Sequence, residues 1–397
     1  MNRLVTINLN GLDRAGLPPE HPEPGGPTRM LFLTINAVGF KTLAGKLATA
    51  TADRDDIDAI HMRIKPTFGM RLLGAQLQVF RGWDMAAYRR LMLWRSVLRR
   101  WFRRHLMLNR FDVVHFCTQQ YAPALFDVGG ERRPAVAVNI DATTKNGVYN
   151  NASAASLKPM IAKEQRIFSQ SDLVFAMSRQ AGDSVINDYG IAADRVAILP
   201  PSVAPMTPDV PESPNHNGAV VKMVFVGMAF ARKGGPDLLR WHQKHLSDLA
   251  ELHILSSQAK PDRSAKRVFW YKSMPNEQVM SQFLPSMDIL VLPSRADLSP
   301  WVLVEAAVVG LPVIASRVGA VHELTLDGQT GLLVPPGDET AFVDAAKKLI
   351  GDPALRQRMS VAARQHATEH LNALRNYDHM LDRLIELARQ RQLVLAS

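Results

Sequence analysis

The chain reads ILVLPSRADLSPWVLVEAAVVGLPV from Ile289 to Val313, a strand-like run followed by a polar loop and an apolar segment of helical length. Ser299 suits the N-cap of this helix and Pro300 its first position, while Gly310 suits the residue that ends it. The helix N-terminus would then lie at the carboxyl end of a strand, where open α/β sheets bind anions. The stretch therefore predicts a parallel sheet with an anion site at its edge.

Short β-type runs alternate with helix-length amphipathic segments on both sides of this stretch, a pattern typical of parallel α/β sheets. The first 28 residues are ambiguous, because Leu4–Leu9 suits either an added strand or a frayed extension. The predicted strands are 30–36, 59–64, 113–117, 135–140, 173–176, 196–199, 223–226, 252–255, 268–270, 289–292, 313–315 and 331–334.

A chain of 397 residues is too long for one ordinary core and favours two domains, at roughly 100–200 residues each. Residues 204–218 contain four prolines and have no periodicity, which indicates an interdomain linker. We therefore expect domains at 1–215 and 216–397. Residues 341–396 have a helical pattern that is broken near 351–353, and the final helix could pack back on the first domain.

The composition is that of a water-soluble globular protein, with 47% apolar and 21% charged residues. No stretch of the sequence comes near the roughly 18 consecutive apolar residues that a membrane-spanning helix needs. The N-terminus lacks the apolar region of a secretory signal, so a cytoplasmic location is expected. Cys117 is the one cysteine, which excludes an internal disulfide and a cysteine-rich metal site and indicates a buried small side chain.

The formal charge of +10 would attract polyanions, and much of it lies in AAYRRLMLWRSVLRRWFRRHLMLNRF, residues 86–111. This segment predicts a basic amphipathic helix. One interpretation is a domain helix with a solvated arginine face. The other is peripheral contact with an anionic membrane surface, in which Leu93, Val97 and Phe102 widen the apolar face and the acceptor is lipid-linked.

A second loop has the features of a phosphate site. The strand Met223–Val226 leads into Gly227, and Ala231-Arg-Lys-Gly-Gly235 follows before a helix that starts near Pro236. A glycine lets the backbone approach a ligand, while arginine offers a planar fork and lysine a mobile charge to diphosphate oxygens. This tetrapeptide alone also suits a solvated basic turn.

Together these residues resemble the large retaining family of GT-B glycosyltransferases, glycosyltransferase family 4. The resemblance continues through Gly319–Glu323 and Asp327–Asp338, and it covers most of residues 222–340. Weaker similarities in the first half are Asp112–His115, Glu164–Ser178 and Val196–Pro201. The resemblance implies an α/β fold of two Rossmann-like domains whose parallel sheets face each other across an interdomain cleft.

By this resemblance the second domain would bind a nucleotide-sugar such as a UDP-, GDP- or ADP-sugar. Glu305 would hold the ribose, Arg232 and Lys233 would neutralise the diphosphate, and Asp297 would contact the transferred sugar. Gly227 and the chain Ser299–Val302, which includes Pro300 and Trp301, would lie along the donor. The family expects a glutamate where Asp297 stands and a Phe-Gly pair before Trp301, so the sugar cannot be inferred. No metal and no cofactor are implied, because two cations and a helix terminus can replace Mg²⁺.

The acceptor side departs further from the family. A histidine usually follows the first-domain strand that faces the donor, whereas Asp141 follows Ala135–Ile140 here. Asp141 could accept a hydrogen bond from the acceptor, or it could cap the following loop. His115, inside a strand, is expected to be a core histidine. Gly39 could approach the diphosphate or the acceptor from the first domain.

The implied function is transfer of a sugar from a nucleotide donor to an acceptor hydroxyl with retention, in bacterial cell-surface polysaccharide or glycolipid synthesis. The leaving diphosphate would itself help to remove the acceptor proton. An alternative is a non-catalytic nucleotide-sugar-binding partner subunit of the same fold. A nucleotide-sugar epimerase would need acids and bases on both faces of the sugar, which cannot be assigned. No nucleic-acid-binding motif accompanies the basic charge, so no nucleic-acid partner is expected.

Overall fold

The computed structural model describes residues 3–7, 25–35, 40–64, 95–96, 98–100, 102–103, 110–129, 133–146, 154–205 and 220–396. The chain forms two compact units. Unit 1 is Met1–Leu199 with Tyr377–Ser397, and unit 2 is Pro200–Asn376. The division follows Leu199 rather than the boundary expected near residue 215, which lies outside the described residues. The reason is that Val203 already pairs with Asn372 in a parallel bridge of unit 2.

Unit 1 contains a seven-stranded sheet in which every pair of neighbouring strands is parallel, in the order β1-β3-β2-β4-β5-β6-β7. Of the two interpretations of the N-terminal segment, the added strand is confirmed for Arg3–Ile7, which pairs in parallel with residues 60–64. The strands are β1 Arg3–Ile7, β2 Thr28–Ile35, β3 Ile57–Ile64, β4 Val113–Phe116, β5 Ala135–Ile140, β6 Leu173–Ala176 and β7 Val196–Ile198.

The described α-helices of unit 1 connect these strands and cover the sheet. They are α1 Phe40–Ala52, α2 Pro123–Gly129, α3 Ala154–Gln170 and α4 Arg179–Asn187, and a 3₁₀ turn, Gln119–Tyr121, follows β4. Every residue of β4, β5 and β6 is buried. A parallel strand covered on both faces needs such a continuous apolar run, which explains why these strands were recognisable from sequence.

Unit 2 contains a six-stranded, fully parallel sheet in the order β10-β9-β8-β11-β12-β13. All twelve predicted strands of the two sheets are confirmed, with ends that differ by at most a few residues. The strands of this sheet are β8 Val221–Val226, β9 Ala250–Leu255, β10 Val268–Tyr271, β11 Ile289–Leu292, β12 Val313–Ser316 and β13 Gly331–Val334.

The helices of unit 2 begin with α5 Gly235–Trp241, which continues as a π-helical turn to Leu246, and α6 Asn276–Gln278, which continues likewise to Phe283. The later helices are α7 Trp301–Val309, α8 Val321–Leu324, α9 Glu339–Gly351, α10 Pro353–His370 and α11 Ala373–Ala396. The strand order reverses beside β8, which lies between β9 and β11. The carboxyl ends of β8 and β11 therefore border the crevice where an open α/β sheet binds its ligand.

Most of α11 belongs to unit 1. Arg54, after α1, donates to Asp56 and Asp382 at 2.8 Å each and contacts Asp378 at 3.5 Å. The hydrogen bonds to Asp56 and Asp382 raise the pKa of Arg54 above its usual value. The final helix thus packs with the first half of the chain, as the sequence suggested.

The basic segment 86–111 is described in part, and its residues 95–96, 98–100 and 102–103 are helical. Leu98 and Phe102 are buried, and the Phe102 ring lies 6.3 Å from that of Phe116. The expectation that Phe102 widens a lipid-facing surface is therefore wrong, because this ring completes the core. Leu93 and Val97 lie outside the described residues.

Among the helices that the structure describes, none is long and apolar enough to cross a membrane.

Candidate functional site

Asp297 is the centre of a charged cluster in unit 2. Its Oδ2 accepts a hydrogen bond from Lys233 Nζ at 2.8 Å and a longer one from Ser294 Oγ at 3.3 Å. Its Oδ1 accepts from the Leu298 N–H at 3.1 Å and lies 3.6 Å from a guanidinium nitrogen of Arg232. Asp297 is 7% exposed, whereas the Arg232 side chain is half-exposed. The structure thus brings together three predicted site residues from the loops after β8 and β11.

The direct contact between Lys233 and Asp297 was not predicted. The resemblance assigned Lys233 to the diphosphate and Asp297 to the sugar, and it treated the two side chains separately. The signal that could have joined them is positional, because β8 and β11 are neighbouring parallel strands whose carboxyl ends meet at one edge. Loops that follow such strands are close in space whatever their separation in sequence.

Two glycines allow these loops to touch. Gly234 has φ 77°, and a Cβ there would lie 1.9 Å from the carbonyl oxygen of Pro293. Gly319 has φ 49°, and a Cβ there would lie 2.1 Å from the carbonyl oxygen of Asp297. No side chain fits at either distance, and both backbone conformations favour glycine. The position of Asp297 is therefore set by backbone packing from both sides.

Gly227 has a structural role beside the predicted approach to the ligand, which stays a prediction. A Cβ at this position would lie 2.5 Å from Cδ of Lys233. The missing side chain makes room for the lysine stem. Gly227 thus helps to direct the Lys233 ammonium toward Asp297.

The N-terminus of α7 also differs from the prediction. The helix begins at Trp301, and Pro300 is the N-cap without a side-chain hydrogen bond. Ser299 is therefore not the cap, and its Oγ is buried without a hydrogen-bond partner. Val302 is buried and Trp301 is half-buried. The helix ends as predicted at Gly310, which is left-handed with φ 74°.

Glu305 lies half-buried on α7, between residues that are mostly fully buried. Its Oε1 accepts a hydrogen bond from Asn276 Nδ2 of α6 at 3.0 Å. The resemblance assigns this carboxylate to the ribose, and the contact with Asn276 was not predicted. Asn276 comes after β10, so no local pattern links it to Glu305.

Asp141 lies in unit 1, directly after β5. Burial raises the pKa of its carboxyl group, while hydrogen bonds from the backbone N–H groups of Asp141 and Ala142 oppose that shift. These bonds correspond to the loop-capping interpretation, and they leave the acceptor role untested. Gly39 lies outside the described residues.

His115 is a core histidine, as predicted. It is fully buried on β4, its Nε2 lies 2.7 Å from Asn139 Oδ1, and its ring contacts those of Phe32 and Phe175. Burial lowers its pKa to about 4, so the ring is neutral near pH 7. Cys117 is likewise buried, and burial raises the pKa of its thiol to about 12.

A pocket of about 760 Å³ in unit 1 lies away from these residues. It is lined by Thr28, Asp56, Asp112 and Arg389 among others, at the amino ends of β2 and β4. Asp141 follows the carboxyl end of β5, so the pocket lies at the opposite edge of the parallel sheet. Within the described residues, no group of three or more His, Cys, Asp or Glu side chains could hold a metal ion.

Two family profiles match the chain. The profile described as Glycosyl transferases group 1 matches residues 221–352, and that of Glycosyltransferase Family 4 matches residues 38–205. The first match lies within unit 2, and the second lies in unit 1 except for its last six residues. The chain belongs to glycosyltransferase family 4.

Relatives of this family 4 chain include the D-inositol 3-phosphate glycosyltransferase of Xylanimonas cellulosilytica, which is 24% identical over 248 residues. That match covers 56% of the chain and 59% of the relative. Matches to two further relatives of the same description cover 54% and 63% of their lengths. The chain thus spans between about half and two thirds of the length of these three curated relatives.

Solved structures confirm a GT-B fold for this family 4 chain. Sucrose-phosphate synthase from Thermosynechococcus elongatus has a TM-score of 0.69 at 17% identity, and the match covers 93% of the chain and 100% of that structure. Anabaena HepE, solved in complex with UDP-glucose, has a TM-score of 0.63 at 14% identity, with 90% and 99% coverage. At these identities the likeness establishes the fold.

Proposed function

We propose that the chain transfers a sugar from a nucleoside diphosphate sugar to an acceptor hydroxyl, with retention of anomeric configuration. The observation that carries the proposal is the convergence of Arg232 and Lys233 on Asp297 at the carboxyl ends of β8 and β11. The N-terminus of α7 follows the same loop. Two cations and a helix terminus at the crevice of an open α/β sheet suit a diphosphate.

The two cations have different freedom in this arrangement. The Lys233 side chain is 13% exposed and is fixed by Asp297, whereas that of Arg232 is 50% exposed and can turn toward phosphate oxygens. A diphosphate would compete with Asp297 for both. As the leaving diphosphate gains charge, these groups would stabilise it without a metal or a resident cofactor.

Glu305 is proposed to accept hydrogen bonds from the ribose hydroxyls. Its carboxylate stands on α7 beyond the diphosphate site, and the Asn276 bond fixes its orientation. Asp297 is proposed to contact the transferred sugar, where its side chain is one methylene shorter than the family's usual glutamate. The chain Ser299–Val302 would lie along the donor.

Asp141 is proposed to accept a hydrogen bond from the acceptor hydroxyl. In front-face transfer the leaving diphosphate takes the acceptor proton, so no protein nucleophile is needed. A half-buried carboxylate next to backbone N–H groups can orient a hydroxyl without becoming the base. We place Gly39 near the diphosphate or acceptor on the family resemblance alone.

The acceptor is proposed to be a glycan or lipid-linked molecule of a bacterial cell surface. The formal charge of +10 and the exposed Arg100 and Arg103 support contact with the inner face of an anionic membrane from the cytoplasm. A second candidate, a non-catalytic nucleotide-sugar-binding subunit, is favoured by the aspartates that replace the family's usual residues at Asp141 and Asp297. Turnover of a bound donor would exclude it.

A thermal-unfolding screen against UDP, GDP, ADP and their sugars tests the donor site. A nucleotide that binds the folded state raises the unfolding temperature. We expect one nucleotide to stabilise the wild type, and Glu305→Ala and Lys233→Ala to lose that response. Lys244→Ala, which removes an exposed cation paired with Glu339, is the matched control and should keep it. If no nucleotide stabilises the wild type, or all variants respond alike, the assignment fails.

A further inference from the structure

Glu164 is a buried carboxylate of α3 that has no part in the donor site. It is 4% exposed, and its Oε2 accepts hydrogen bonds from the Thr144 N–H at 2.7 Å and from the Tyr189 hydroxyl at 2.5 Å. Its Oε1 accepts a longer bond from Gln119 Nε2 at 3.4 Å. Burying a carboxylate costs free energy unless such hydrogen bonds compensate for it. Here the compensating donors come from three segments of the chain, which contain Gln119, Thr144 and Tyr189.

These bonds hold the loop that carries Asp141. Thr144 is bonded to Glu164 directly. Gln119 Nε2 also donates to the Ala142 carbonyl oxygen at 3.3 Å, which ties a second point of the loop to the same group. Asp141 is the first residue after β5, so the strand fixes its amino side and the Glu164 contacts fix the chain that follows.

The rest of the loop is held by further polar contacts. Thr143 Oγ1 lies 2.7 Å from Ser184 Oγ, and its N–H donates to Asn146 Oδ1 at 2.8 Å. Lys145 Nζ lies 4.7 Å from the Tyr189 ring centre. The ionisable groups bonded to this loop or stacked on it are Glu164, Tyr189, Lys145 and Asp188, whose backbone carbonyl accepts from Lys145.

We propose that Glu164 is a positioning residue, which holds the Asp141 carboxylate where the acceptor hydroxyl is received. The meaning of that position rests on the proposed function, whereas the holding contact does not. An ionised Glu164 carboxylate accepts stronger hydrogen bonds from the Thr144 N–H and the Tyr189 hydroxyl than a neutral side chain would. The loop geometry therefore depends on this carboxylate being present and ionised.

Two variants loosen the loop in different ways. Glu164→Gln keeps the side-chain shape but places an amide nitrogen opposite Gln119 Nε2, donor against donor. If Gln119 then flips, its oxygen faces the Ala142 carbonyl oxygen instead of bonding to it. Gln119→Leu removes the link to Ala142 and leaves Glu164 with its other two bonds.

Ser171→Ala is the matched control. It removes a buried hydrogen bond that Ser171 Oγ donates to the Ile167 carbonyl oxygen at 2.9 Å beside the end of α3, and it leaves the contacts of Glu164 and Gln119 with the loop. A general loss of packing in this region would affect all three variants alike, whereas loss of loop positioning would not.

The experiment is an NMR titration of ¹³Cγ-labelled aspartate in the full chain, with the Asp141 signal assigned from Asp141→Asn. Burial raises the pKa of Asp141 in the wild type. A loosened loop admits water, so we expect this pKa to fall by about one unit in Glu164→Gln and in Gln119→Leu, and to stay unchanged in Ser171→Ala.

An unchanged Asp141 pKa in folded Glu164→Gln and Gln119→Leu would overturn the proposal, and so would an equal shift in Ser171→Ala. Thermal unfolding identifies any variant that does not fold, and Gln119→Leu decides if Glu164→Gln is lost. The titration needs no nucleotide, so its result is independent of the nucleotide screen, whose failure would instead remove the proposed function.

Discussion

Asp297 shows at the scale of one residue how a motif position can serve two purposes. Its carboxylate neutralises Lys233, and both side chains are largely buried, at 10% and 13% exposure. The proposed function also assigns this carboxylate a contact with the transferred sugar. Folding and catalysis therefore place different demands on one side chain, and a single substitution can separate them.

Asp297→Asn should lower stability and raise diphosphate affinity together. The Lys233 ammonium would keep its position without a counter-charge, which costs roughly 2–3 kcal/mol, less than a fully buried pair because water reaches both groups. The substitution also removes the negative charge that competes with a diphosphate for Lys233 and Arg232. Urea unfolding and calorimetric titration with the stabilising nucleoside diphosphate measure the two effects, and weaker nucleotide binding with unchanged stability would contradict the account.

His115 gives a prediction about pH. Its pKa is about 4 in the folded protein and near 6.5 when unfolded. Between these values the unfolded state binds a proton that the folded state does not, so stability falls as pH falls through this window, by up to roughly 3 kcal/mol. Urea midpoints from pH 7 to pH 4 should show this slope, and His115→Gln should reduce it. An unchanged slope in the variant would show that other groups cause it.

At the scale of elements, the strands were predictable and the loop contacts were not. Buried parallel strands such as β6 and β11 are continuous apolar runs that the sequence displays directly. The contacts of Lys233 with Asp297 and of Asn276 with Glu305 join loops after different strands, which no local pattern encodes. Ser299 suited an N-cap by composition, but the chain places Pro300 there.

Gly234 and Gly328 offer a matched pair for the loop between β8 and α5. Both are left-handed, with φ 77° and 75°, but an added Cβ meets the Pro293 carbonyl oxygen at Gly234 and nothing within 4 Å at Gly328. Gly328→Ala should cost only the conformational strain, about 1 kcal/mol. Gly234→Ala should cost several times more and should abolish the nucleotide-induced thermal shift. Equal effects of the two substitutions would show that the Pro293 contact does not position the loop.

At the scale of the whole molecule, the family profiles assign different parts of the chain to the two units. The sequence predicted both sheets, and it suggested that the final helix returns to the first half. The two units divide after Leu199, whereas the boundary expected near residue 215 lies outside the described residues, and the pairing of Val203 with Asn372 lies within unit 2. Such a long-range bridge leaves no signature in composition.

The membrane proposal also belongs to the whole molecule. Arg100→Ala with Arg103→Ala removes two exposed cations from the basic segment. We expect this double variant to be retained several-fold less on vesicles containing phosphatidylglycerol, and added salt to weaken retention of the wild type. Lys347→Ala with Lys348→Ala makes the same change in net charge on α9 and should have little effect. Equal loss in both double variants, or stronger retention on DNA than on vesicles, would oppose the membrane interpretation.

The central claim is that Lys233 and Arg232 recognise a diphosphate. The most direct measurement compares the dissociation constants of the nucleoside diphosphate that stabilises the protein and of its monophosphate, in the wild type and in Lys233→Met. We expect the wild type to bind the diphosphate at least about tenfold more tightly, a difference of about 1.4 kcal/mol, and the variant to lose most of this preference. If Lys233→Met weakens both nucleotides equally, or keeps the full preference, Lys233 does not bind the diphosphate and the account is contradicted.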